Sequence, residues 1–116
     1  MARVLVLDDE PLIRRAFCRA LRKYEVHEAG SCEEARALLE QHAFDAVVLD
    51  VQLGRETSEH LVAWIAAQRP HLVRSMVLLS GATIPPGFFF PDGARFQAKP
   101  VGVVDLRALV ADLVEP

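Results

Sequence analysis

The feature that most constrains this chain is an alternation: short aliphatic runs that stop at a polar residue, separated by stretches of helical periodicity. The first run, Arg3-Val4-Leu5-Val6-Leu7, is uninterrupted and stops at Asp8-Asp9-Glu10. Such runs predict strands covered on both faces, hence the centre of a parallel sheet. Pro11 follows, a residue favoured in the first turn of a helix. Ile13, Ala16, Phe17, Ala20 and Leu21 then recur at helical spacing. Arg14, Arg15, Arg19, Arg22 and Lys23 fall mostly on the other side and read as a solvated face, the alternative being a basic groove for an anionic partner.

The pattern continues to the end. Val26 to Ala29 reads as a second strand, and Ser31 with Glu34 forms a capping box opening a helix that carries Ala35, Leu38 and Leu39. Phe44 to Leu49 is a third strand ending at Asp50, followed by a helix expected from Ser58 to Gln68 and stopped by Pro70. Ser75 to Leu79 is a fourth strand ending at Ser80, and Arg95 to Ala98 a fifth ending at Lys99-Pro100. A last helix is expected from Val103 to Val114, with Leu106, Leu109, Val110 and Leu113 inward. Right-handed crossovers make this an α/β fold, a doubly wound five-stranded parallel sheet with helices on both faces.

One stretch breaks the rhythm. The 18 residues between Ser80 and Lys99 include Gly81, Pro85, Pro86, Gly87, Pro91 and Gly93, so the fourth helix is expected to be shortened or absent. Phe88-Phe89-Phe90 lies in its middle. These rings either plug the sheet face that the missing helix leaves open or form an exposed docking surface, and three consecutive rings can hardly all point inward.

Composition removes other classes. The 116 residues, 52% hydrophobic and 25% charged, fit one globular domain. With 13 Lys and Arg against 16 Asp and Glu, the net charge of −3 offers no reason to expect direct nucleic-acid binding. No apolar run approaches the roughly 20 residues that span a bilayer, and no signal peptide is visible, so a cytoplasmic location with Cys18 and Cys32 reduced is expected. His27, His42, His60 and His71 show no ligand spacing and read as surface or edge residues.

The polar residues that close the strands share a place. In an open parallel sheet, ligands bind beyond the carboxyl ends of the strands at the topological switch point. With sheet order 2-1-3-4-5, Asp8, Asp9 and Asp50 converge there, flanked by Ser80 and Lys99. Clustered carboxylates repel unless a cation is present, and hard oxygen donors suit Mg²⁺. With metal and lysine in place the pocket could accept a phosphoryl group, with Asp50 as nucleophile and Ser80 as a donor to a phosphoryl oxygen.

Asp8-Asp9, Asp50, Ser80-Gly81 and Lys99-Pro100, in this order and at these strand ends, resemble the receiver domain of two-component response regulators, the flavodoxin/CheY-like family. The resemblance covers essentially the whole chain, so residues 1–116 are expected to form a single receiver domain. It implies that Asp50 accepts the phosphoryl group of a phosphohistidine from a sensor histidine kinase or histidine phosphotransfer protein. It implies Mg²⁺ held directly by Asp9 and Asp50, by Asp8 mainly through water, and by the backbone carbonyl of Gln52. Lys99 would pair with the phosphoryl group across a cis bond to Pro100, and Ser80 would move toward it. Phe96 matches the family's aromatic switch position, a plain core phenylalanine being the other reading. Such a domain catalyses its own phosphorylation and turns over no external substrate, so it is not an enzyme in the usual sense. Its output is expected in another protein or domain, and homodimerisation is open.

The chain also departs from the family pattern. Gly54 stands where a proline is usual and Ser58 where a glycine is usual, which leaves the path of that loop open and suggests greater mobility. Gln52 and Ala82 flank the site at positions that could tune hydrolysis. Two other functions compete. One is an interaction module that uses the Phe88–Phe90 surface without phosphorylation. The other is a flavin-binding electron carrier, for which Asp8-Asp9-Glu10 has the wrong charge.

Overall fold

The computed structural model describes residues 1–81 and 84–115. In chain order the elements are β1 (Arg3–Leu7), α1 (Pro11–Ala20), β2 (Glu25–Ala29), α2 (Cys32–Gln41), β3 (Ala46–Asp50), β4 (Gln52–Leu53), β5 (Glu56–Thr57), α3 (Glu59–Gln68), a 3₁₀ helix (Pro70–Ser75), β6 (Met76–Ser80), β7 (Arg95–Ala98) and α4 (Val103–Val114). Five strands form one parallel sheet in the order β2-β1-β3-β6-β7. Setting aside the two-residue strands β4 and β5, this is the expected 2-1-3-4-5 order.

Strand alternation divides the core into two layers. Leu5, Leu7, Val47, Leu49, Met76 and Leu78 point to the face covered by α2 and α3. Val4, Val6, Ala46, Val48, Val77 and Leu79 point to the face covered by α1 and α4. All twelve are at most 1% exposed, so both sides of the three central strands are dry. Fully burying one such side chain stabilises by roughly 1.5–3 kcal/mol, which is why the pure aliphatic runs can sit only here.

The helices start where their caps dictate. Pro11 opens α1, and the Ser31 hydroxyl caps α2 by accepting from the Glu34 N–H at 3.2 Å. The last helix spans Val103–Val114 as expected, with Leu106, Val110 and Leu113 buried and Leu109 half-buried. On α1, Phe17 and Ala20 are buried while Ala16 is exposed, so the apolar stripe there is narrower than its periodicity implies. The third strand begins at Ala46, two residues later than expected, because Phe44 turns into the core and meets the His27 and His42 rings edge-on.

Between β6 and β7, residues 84–94 contain turns and no helix. Phe88 and Phe90 pack partly buried against the α2–α3 layer, while Phe89 stays 45% exposed. Two of the rings thus fill part of the face that a fourth helix would cover, as the plug reading expects, and one faces out. Phe96 is 43% exposed, which overturns the plain-core reading. It pairs with Leu78 and so faces the same layer, at the sheet edge that no helix covers.

Candidate functional site

The carboxyl ends of β1, β3, β6 and β7 lie side by side because the chain leaves β1 toward β2 on one side and returns through β3 on the other. Asp8 follows the last residue of β1, Asp50 ends β3, Ser80 ends β6 and Lys99 follows β7. Each is polar where its aliphatic run stops. Asp8, Asp50 and Ser80 are buried, and Asp9 is exposed at the rim.

One carboxylate oxygen from each of Asp8, Asp9 and Asp50 falls within 4.8 Å of the others. Lys99 Nζ reaches into this cluster and donates to Asp50 Oδ2 at 2.9 Å and to Asp8 Oδ2 at 3.1 Å. The second oxygens are held by the chain itself: the Glu10 N–H donates to Asp8 Oδ1 at 2.9 Å and the Gln52 N–H to Asp50 Oδ1 at 3.3 Å. The Lys99 backbone N–H donates to the Ser80 carbonyl at 2.8 Å, which ties the last two strand ends together. The Lys99–Pro100 bond is cis, as the resemblance implied.

Burial pushes the Asp50 carboxyl above its usual range, with Asp8 adding repulsion; the hydrogen bond and charge of Lys99 and the Gln52 N–H offset this only in part. Burial also works against the Lys99 ammonium, but its bonds to Asp50 and Asp8 outweigh that and raise its pKa. Three carboxylates against one ammonium leave two negative charges. The donors are hard oxygens, their charge matches a dication, and Asp9 keeps an exposed edge, so the residues fit Mg²⁺ with coordinated water.

The loop after Asp50 is ordered into a hairpin. Gln52 pairs with Thr57 and Leu53 with Glu56, joined by Gly54 and Arg55. Gly54 has φ +63, the only positive value in this turn, and a glycine at the first position is what a type II′ turn requires. The replacement of proline by glycine therefore defines a path rather than leaving one open. A Cβ on Gly54 would lie 3.8 Å from Asp9 Oδ2, so the hairpin forms the wall beside that carboxylate. Ser58 is fully buried at the start of α3, and its hydroxyl has no hydrogen-bond partner among the described residues.

The structure brings Asp8, Asp9, Asp50, Ser80, Lys99 and the Gln52 backbone to one end of the sheet, and it leaves Phe96 on an exposed edge. Ala82 lies outside the described residues. Periodicity also misread Arg14, which is not on the solvated face but is 81% covered, its side chain turned toward the end of β1. Its place one turn into the helix after Asp8 was the available signal.

Comparison with known proteins places the chain in a family. A family model described as response regulator receiver domain matches residues 4–85. The response regulator protein PilR of Pseudomonas aeruginosa is 32% identical over 112 residues, covering 94% of this chain and 25% of that protein. The transcriptional regulatory protein PdtaR of Mycobacterium tuberculosis is 41% identical over 70 residues, 58% of this chain and 34% of that one. The chain thus spans a quarter to a third of the length of these two relatives. The crystal structure of response regulator protein TrrA of Thermotoga maritima, in complex with Mg²⁺ and BeF, superposes with a TM-score of 0.83 at 25% identity, covering 97% of this chain and 99% of that one.

Proposed function

The chain belongs to the response regulator receiver domain family, and on that premise we propose that it accepts a phosphoryl group onto Asp50 from the phosphohistidine of a sensor histidine kinase or histidine phosphotransfer protein. The observation that carries this is Lys99 bridging Asp50 and Asp8 inside a three-carboxylate cluster. An Asp50 oxygen forms the P–O bond as the donor's P–N bond breaks, the electron pair returning to the ring nitrogen. Lys99 then exchanges its carboxylate contact for the phosphoryl oxygens, and the Ser80 hydroxyl donates to another of them. Asp8, Asp9, Asp50 and the backbone carbonyl of Gln52 would hold Mg²⁺, whose charge neutralises the phosphoryl oxygens during transfer.

The receiver signals through shape: Ser80 moving toward the phosphoryl group draws on β6, and Phe96 on the neighbouring strand is the ring free to turn inward. On this reading residues 1–116 are one domain acting in the cytoplasm on no external substrate, its output another protein or domain, with a homodimer as one form of the active state. It contacts neither nucleic acid nor membrane directly. The net charge of −3 supports this, and among the described residues no helix is long and apolar enough to cross a membrane. The likeness to response regulators favours it over a phosphorylation-independent role for the Phe88–Phe90 surface.

The test is intact-mass analysis after incubation with Mg²⁺ and acetyl phosphate. A phosphoryl adduct on the wild type that is absent from Asp50→Ala supports the proposal. No adduct, together with no binding of Mg²⁺ or beryllofluoride, rejects it.

A further inference from the structure

Where β1 ends, one peptide unit separates Asp8 from Asp9, and its orientation decides where the two carboxylates point relative to each other. The Asp8 N–H is spent on the ladder, donating to the Ala29 carbonyl at 3.1 Å. The Asp8 carbonyl lies past the last rung and has no strand partner. Arg14 supplies one: its Nη1 donates to Asp8 O at 2.8 Å. The same guanidinium is anchored from the other side, with Nε donating to Glu28 Oε1 on β2 at 2.9 Å. The Arg14 side chain is 19% exposed and Glu28 47%, so the bond to the Asp8 carbonyl is the better shielded of the two.

Gly30 completes the bracket. A Cβ there would stand 3.0 Å from Arg14 Nη1 and 3.7 Å from Cζ, tighter than ordinary contact, so the guanidinium passes close over Gly30 and would have to shift by a few tenths of an ångström to admit a side chain. Gly30 has no positive φ, and its need is space rather than backbone freedom. Helix α1, strand β2 and the turn after it therefore converge, through one side chain, on one carbonyl at the acidic cluster.

Resting on the reading of Asp8, Asp9 and Asp50 as a divalent-cation site, we infer that Arg14 is a positioning residue: it fixes the Asp8–Asp9 peptide through its bridge to Glu28 and so sets the affinity of the cluster for Mg²⁺. Arg14 touches no carboxylate of the cluster. Outer partners that orient metal-ligating groups typically control affinity by about 10–100-fold.

The sign of the effect separates this role from simple electrostatics. Removing a positive charge beside a cation site strengthens cation binding by Coulomb's law, whereas releasing the peptide weakens it. The experiment titrates Mg²⁺ into the full chain by calorimetry, well below the melting temperature, for the wild type, Arg14→Gln, Arg14→Lys and Gly30→Ala. Melting of the metal-free proteins is followed in parallel. The expected result is about tenfold weaker Mg²⁺ binding in Arg14→Gln. Arg14→Lys, which can reach the carbonyl but not hold both partners at once, should recover part of the loss. Gly30→Ala, which keeps every charge and displaces the guanidinium, should also weaken binding and serves if Arg14→Gln fails to fold. Unchanged or tighter binding in the folded variants overturns the inference. Absence of Mg²⁺ binding by the wild type overturns the cation-site reading itself, and is distinguished by that.

Discussion

The backbone N–H of Phe89 donates to the Glu59 carboxylate, Oε2, at 2.6 Å across 30 residues of sequence. Glu59 is the first residue of α3, and Phe89 is the exposed centre of the segment that lies where a fourth helix would otherwise run. The bond and the flanking rings of Phe88 and Phe90 dock that segment onto the α2–α3 layer.

Glu59→Ala should therefore destabilise the protein by about 1 kcal/mol, the worth of one solvent-accessible hydrogen bond. Glu59→Gln keeps an acceptor and should lose less. Urea unfolding measures the cost, and limited proteolysis of residues 84–94 should accelerate in Glu59→Ala alone. Equal proteolysis of all three proteins would mean that the segment is held by its rings and not by this bond.

Asp50 makes the metal-free protein pH-sensitive. Its pKa is raised above the ordinary value of 3.8, chiefly by burial. A group raised on folding contributes stability that is present in full below its unfolded pKa and is lost as pH climbs through the folded one. The wild type in chelator should thus lose stability as pH rises above 3.8 and through the raised folded value. Asp50→Asn should lack that loss and be the more stable of the two at neutral pH without metal. Melting temperatures across this range check it; parallel curves would contradict it.

Two serines that precede helices should respond in opposite ways. The Ser31 hydroxyl accepts the Glu34 N–H, and Ser31→Ala should cost about 1 kcal/mol. The Ser58 hydroxyl is buried with no partner among the described residues, so Ser58→Ala should be neutral or stabilising by up to about 1 kcal/mol. Denaturant midpoints of the two variants give the comparison directly. A loss in Ser58→Ala as large as that in Ser31→Ala would show that the Ser58 hydroxyl is satisfied in solution.

Both thiols should be slow to react. Burial, with the Glu28 charge second, pushes Cys18 up to about 11, and burial with Glu56 raises Cys32. Thiolate is the reactive form, so Ellman's reagent at about pH 8 should label the native protein far more slowly than the urea-unfolded one. Two thiols titrating at the free-cysteine rate in the native protein would count against this burial.

Much of the fold is legible in the chain because strand burial is a local property of sequence. Val4 to Leu7 and Met76 to Leu79 have no polar residue to turn outward, so they can only be central strands. The ends of those runs, and of Ala46 to Leu49, then mark Asp8, Ser80 and Asp50 without any knowledge of contacts. Arg14 resisted the same logic. A helical wheel assigns an arginine outward by polarity, yet its long side chain curls back to a carbonyl six residues earlier. The β4–β5 hairpin also escaped notice, since two-residue strands carry no periodicity; only Gly54 hinted at a turn. Phe96 was ambiguous for a related reason: an aromatic residue in an edge strand is buried only if something covers that edge.

The sequence alone determined which residues stand at the strand ends, because an aliphatic run stops where burial stops. It also determined that no regular helix could span the Pro- and Gly-rich stretch, because proline removes donors and clashes with the preceding turn. Only the tertiary structure decided what those residues do to one another. Lys99 meets Asp8 across 91 positions and Asp50 across 49, and burial and these partners raise the pKa values of Asp50 and Lys99 in ways that no local pattern encodes. Electrostatic interaction falls with distance and grows with burial, and both quantities arise only when separate strand ends are packed into one pocket.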